Sequence, residues 1–169
     1  MQVVEGVATV ADVDEFLEAL AEIGEKTGCT IQAFDARYVV GRDHLQRAVE
    51  LADRAFERRE NVARDRGVEI LLFAAGRRQI DRAFEMGIGE GEQPAVVLVD
   101  SPEDDETGEE AGAERVRDLL EPAETLGIAY ADRQRVRAFF EITDAEMEAA
   151  AGSLQDLVIE RVALLVVER

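Results

Sequence analysis

Lysine is almost missing from this chain: of its 19 basic residues only Lys26 is a lysine, and the rest are arginine. Tryptophan is absent, and cysteine and histidine occur once each. Each scarcity removes a class of function. A single cysteine, Cys29, permits no intramolecular disulfide and fits a reducing compartment. A single histidine, His44, leaves no histidine cluster for a metal. No EF-hand or HExxH spacing occurs, so a metal site would have to be all carboxylate. The two serines, Ser101 and Ser153, lie in no nucleophile elbow. There is no Walker loop. Gly87, Gly89 and Gly91 do form a GxGxG pattern, but a helix precedes it and a strand follows, the reverse of the order a phosphate loop needs. His44 falls in the first turn of a helix, where a packed or exposed residue is the plainer reading than a base. No apolar run reaches about 18 residues, and the start MQVVEGVATV has no positive n-region. A cytoplasmic protein with no membrane span, no catalytic residue, no metal and no cofactor is expected, a binding protein and not an enzyme.

What is abundant is acid. Against the 19 basic residues stand 38 acidic ones, for a net charge of −19. A solvated acidic shell of this kind suits a salt-rich cytoplasm. Disorder is excluded by the clear helix and strand periods of the apolar residues. In molar salt the Debye length is only about 3 Å, so distant carboxylates barely repel a phosphate backbone, and the acidity does not exclude nucleic acid. The length of 169 residues fits one domain, 1–169, able to bury roughly 70% of its unfolded surface.

Strands are expected near 3–10, 30–40, 94–100 and 161–168. Asp12 is placed to cap a first helix running to about Lys26, with Val13, Phe16, Leu17, Leu20 and Ile23 as its apolar stripe. A second helix opens at Gly41 or Asp43. A third stretch runs from about Asn61 into Ile70–Ala75, a segment whose period leaves buried helix and buried strand both open. Residues 101–112 read as a solvated acidic loop, and 113–121 as a further helix. Arg133–Phe140 is a helix candidate. Thr143 followed by Glu146 is a capping-box pattern opening another helix in ITDAEMEAA, and Leu154–Glu160 looks helical. Strands and helices do not alternate strictly, so the expected class is α+β, with helices packed on a small, mostly antiparallel four-stranded sheet.

One region departs from the general acidity. Residues 54–82 hold eight arginines and five acids. Within it, the apolar run Ile70–Ala75 meets Gly76 and then Arg77, Arg78, Gln79 and Ile80, followed by a short amphipathic helix with Ile80, Ala83 and Phe84 on one face and Gly87 at its C-cap. Arginines at a glycine turn before a helix suit an anion. The plain alternative is a helix hairpin with solvated arginines. Phe73 and Phe84 fit the core, so no exposed aromatic is expected near the turn.

Several blocks together resemble the smallest core subunit of the KEOPS complex, the TPRKB kinase-binding protein family, in an archaeal, salt-adapted form. They are EILLFAAGRRQIDRAFEMGI (69–88), RDHLQRAVELA (42–52), IERVALLVVE (159–168) and FFEITDAEM (139–147), with the glycine-to-isoleucine turn the most specific. Their order and spacing covers most of the chain, from about Gln2 to Arg169; the acidic stretch 101–112 is outside the match. The resemblance implies an α+β accessory subunit without catalysis. Such a subunit binds and stimulates the kinase-like ATPase subunit of KEOPS, meets the other subunits indirectly, and helps hold tRNA by its single-stranded 3′ CCA end. The complex then places a threonylcarbamoyl group on adenosine. On this sequence the implied RNA-contacting residues are Gly76, Arg78, Gln79 and Ile80. Arg77 joins them as a second phosphate clamp, and Asn61 and Arg64 are expected to border the same surface. Two other readings stand beside it. A nucleotide-binding or small-molecule enzyme domain would use Gly87–Gly91 and Asp100. A protein-interaction scaffold would make no RNA contact.

Overall fold

Two long segments are rich in valine, and these become the centre of the sheet in the computed structural model, which describes residues 1–149 and 152–168. Strand β1 (Gln2–Val10) pairs antiparallel with β3 (Gly91–Asp100), in register from Gln2↔Val99 to Val10↔Gly91. Strand β2 (Thr30–Asp35) pairs antiparallel with the other side of β3, and a two-residue β4 (Glu121–Pro122) meets Gly6 and Val7. The order is β2-β3-β1-β4, all antiparallel. Helices cover both faces. On one, α1 (Val13–Thr27) and α5 (Glu106–Arg117) pack Leu20, Ile23 and Val116 onto Val4, Ala8, Val97 and Val99. On the other, α2 (Arg42–Glu57), α3 (Arg66–Ala75), α6 (Arg133–Phe139) and α8 (Leu154–Glu168) enclose Phe34, Val96 and Leu98. This is the expected α+β class with a four-stranded sheet. Because successive side chains alternate faces, β3 is buried on both.

Local signals hold where a cap fixes them. The Asp12 carboxylate accepts from the Asp14 N–H at 2.9 Å and the Glu15 N–H at 3.2 Å. Thr143 Oγ1 accepts the Glu146 N–H at 3.1 Å and opens α7 (Asp144–Ala149). The expected segment there ends at Ala150, which with Ala151 and Arg169 lies outside the described residues.

Four expectations change. The strand expected over 30–40 stops at Asp35, and a 3-10 turn, Ala36–Tyr38, follows it. Residues 161–168 are not a strand; they are the second half of α8. Leu154, Leu157, Val158, Val162 and Leu165 are buried, and this spacing makes one helical face on the core beside α2 and α3. The acidic stretch 101–112 is loop only as far as Asp105, and α5 starts at Glu106. Glu109 is buried there; its carboxylate takes the Ser101 N–H at 2.8 Å and the Met1 ammonium at 2.9 and 3.2 Å. The third helix starts at Arg66 and not near Asn61, and it settles Ile70–Ala75 as helix.

Gly6 marks the closest approach in the sheet. A Cβ built there would lie 2.6 Å from the Glu121 carbonyl oxygen and 2.8 Å from the Leu120 Cβ. Gly6→Ala is therefore expected to lower stability by about 1–3 kcal/mol by forcing β4 off the sheet edge. Urea unfolding checks it; an unchanged midpoint would show that β4 moves freely.

Candidate nucleic-acid interface

The Gly76 turn is the C-terminal end of α3, and three braces hold it. Gly76 itself adopts φ +60°, a left-handed cap that suits glycine. The Gly76 N–H reaches the Phe73 carbonyl at 3.0 Å, and the Arg77 N–H reaches that of Leu72 at 3.0 Å. The Ala74 carbonyl, another helix-end acceptor without an intrahelical partner, lies 2.7 Å from His44 Nε2. His44 Nδ1 accepts the Val40 N–H at 3.3 Å, so the neutral tautomer with its proton on Nε2 satisfies both bonds. His44 is fully buried, and burial drives its pKa down from 6.5 to about 4, against the opposing pull of the Ala74 carbonyl. It pins a helix end and has no access to a substrate.

Arg77 is the third brace. Its guanidinium donates to the Phe139 carbonyl and stacks 4.8 Å from the centre of that ring. A second arginine, Arg161, ties the neighbouring Phe140 and Glu141 carbonyls to α8. Arg77 is thus half-buried and engaged within the fold, whereas Arg78 is exposed and pairs with no carboxylate among the described residues. Gln79 is exposed, extended, and caps nothing with its side chain. It precedes α4 (Ile80–Ala83), which continues as one 3-10 turn over Phe84–Met86. The expected amphipathic helix is this short, and Gly87 ends it in an extended conformation.

Its apolar face is split. Ala83 and Met86 are buried, but Ile80 is 39% exposed and Phe84 55% exposed. Phe84 was expected in the core; Phe73 is buried as expected. The turn therefore presents Arg78, Gln79, Ile80 and, four residues after Ile80, an open aromatic ring. Arg82 is exposed beside them. The four-residue spacing of Ile80 and Phe84 puts them on one side of the turn, which the sequence could signal only once a helix was granted.

Asn61 and Arg64 do not join this surface. They lie in the loop before α3, at its N-terminal end, about 15 Å of helix away from Gly76. Asn61 donates to the Ala63 carbonyl at 2.8 Å, and that loop is held by the buried Glu69 carboxylate, which takes the Ala63 N–H at 2.8 Å and the Val62 N–H at 3.1 and 3.3 Å. Arg64 instead edges a hollow of about 680 Å³ near Met1, Arg42 and Asp100.

The alternative site at the glycines and Asp100 is not assembled as a phosphate loop. Gly89 exchanges hydrogen bonds with the Gln93 side chain, and the segment leads into antiparallel β3. Asp100 is bound by Arg66 Nη2 at 2.6 Å. Among the described residues no group of three or more His, Cys, Asp or Glu could hold a metal, and no helix is long and apolar enough to cross a membrane. A family model described as kinase binding protein CGI-121 matches residues 7–165. No curated protein matches the chain.

Proposed function

Because this chain belongs to the kinase binding protein CGI-121 family, we propose that it is the non-catalytic accessory subunit of a KEOPS complex in a salt-rich cytoplasm. In this reading it binds and stimulates the kinase-like ATPase subunit, and recruits tRNA by the 3′ CCA end for threonylcarbamoyladenosine modification. The kinase half rests on the family. The RNA half rests on the turn at the end of α3, where Arg78, Gln79 and Ile80 face solvent beside the exposed ring of Phe84. Unstacked bases need an aromatic or guanidinium plane to stack on and a cation for the backbone; Phe84 and Arg78 supply one of each. Arg77 contributes by holding the turn against Phe139, and Asn61 and Arg64 fall outside the contact.

The test compares tRNA with and without its terminal CCA, at low salt and at about 2 M KCl, where screening leaves mainly base and shape contacts. Phe84→Ala is expected to weaken binding roughly tenfold to a hundredfold, the loss of one stacked base. Arg78→Glu should weaken it most at low salt. Binding that is equal with CCA removed and with both residues replaced would leave a kinase-binding scaffold without RNA contact.

A further inference from the structure

The free edge of β2 is not protected in the usual ways. β2 is an outer strand, its sequence TIQAFD has no lysine and no proline, and its far side pairs with no backbone among the described residues. In an antiparallel pair every second residue turns its N–H and C=O away from the partner, and the part of β2 that lines open space, Thr30 to Ala33, leaves about two outward pairs. The edge lies at the bottom of a groove of about 850 Å³ between the two helix layers. Leu17, 46% exposed, stands on the α1 wall and Val68 on the α3 wall, and Ile88 and the exposed ring of Phe84 also line the groove. The Gln32 side-chain amide donates to the Ala33 carbonyl at 3.0 Å, a local cover that an incoming strand would displace.

The charge of the rim selects the occupant. Asp14 and Glu25 on α1 and Asp65 at the start of α3 line it. The one cation there, Arg66, is already held by Asp53 at 2.8 and 3.0 Å and by Asp100 at 2.6 Å. The unbalanced charge is negative. Within the groove the charges would meet at contact distance, inside the roughly 3 Å Debye length of molar salt: a second copy of this chain would bring the same carboxylates against these, and a nucleic-acid backbone would bring phosphates. We propose that the β2 edge docks an extended segment of a partner protein, apolar at alternate positions and basic at those between, which adds a fifth strand to the sheet.

The test uses the full chain, isotope-labelled, and a capped hexapeptide of alternating arginine and valine. Saturable binding is expected, with at least tenfold slower hydrogen exchange at the outward amides of residues 30–33. The same peptide with glutamate for arginine should bind at least tenfold more weakly, and so should the first peptide to Leu17→Arg/Glu25→Arg, both exposed positions. The assignment is overturned if the basic peptide does not saturate, or binds without protecting β2. It is also overturned if the edge is protected in a dimer without peptide, or if a single-stranded RNA ending in CCA gives the same protection. Phe84 lines this groove as well as the turn, so the RNA arm bears on both readings, whereas peptide saturation and β2 protection test the strand edge alone and CCA-dependent tRNA binding tests the turn alone.

Discussion

Acidification from about pH 7 to about pH 4 is expected to cost this fold about 3 kcal/mol through His44 alone. The folded state holds the imidazole neutral, with its pKa moved from 6.5 down to about 4 by burial. Between those values the unfolded chain binds the proton and the folded chain does not. The stability is therefore complete above about pH 6.5 and is lost as pH falls towards 4; below that both states are protonated and the loss stops. A loss of about 3 kcal/mol is a large share of a typical total of roughly 5–15. The carboxylates titrate in the same range, so the measurement is a difference: urea unfolding of wild type and His44→Gln across the window at fixed salt. Glutamine can still donate to the Ala74 carbonyl and accept from Val40, but it does not titrate. The variant should lose most of the His44 slope. A slope equal to wild type would mean that the buried imidazole is not held neutral.

Glu69→Ala is expected to destabilise by about 3–5 kcal/mol, one of the largest single effects in the chain. The carboxylate is fully buried and receives the Val62 and Ala63 N–H groups. Alanine would leave those donors unmatched in a dry site and open a cavity. Glu69→Gln keeps one acceptor oxygen and should cost about half as much. Guanidinium unfolding gives the total, and amide exchange at Val62 and Ala63 localises it. Loss of protection should stay at this loop, because the Gly76 turn is braced separately by His44 and Arg77 at the far end of α3. If exchange rises equally at Arg77 and Arg78, the two ends of the helix are one cooperative unit.

The two cases differ in how far the sequence disclosed them. Asp12, Thr143 with Glu146, and Gly76 act on backbone groups within a few residues, so their caps were legible in the chain itself. The same holds for β1 and β3, whose apolar content exceeds what a surface segment carries. His44 and Glu69 were not legible, because the carbonyl His44 pins, that of Ala74, is 30 residues away, the partners of Glu69 are 6 and 7 residues away, and neither belongs to a motif. Residues 161–168 misled for another reason: RVALLVVE is rich in branched residues, and a short apolar run does not reveal its period until neighbouring helices choose a face. β4 could not be read at all, since Glu121 and Pro122 are a strand only by pairing with Gly6 and Val7. Of the candidate site, the turn was legible. The exposure of Phe84, the internal engagement of Arg77, and the separation of Asn61 and Arg64 from the turn were not.

By itself the sequence determined the α+β class, the caps, the central strands, the arginine-rich turn and the exclusion of the common catalytic motifs, because each depends on residue type and short spacing. The tertiary structure decided which arginine is free, which aromatic ring faces solvent, where the fourth strand lies and which strand edge stays open. Those follow from what packs against what across the chain, and burial is a property of neighbours that no local pattern encodes.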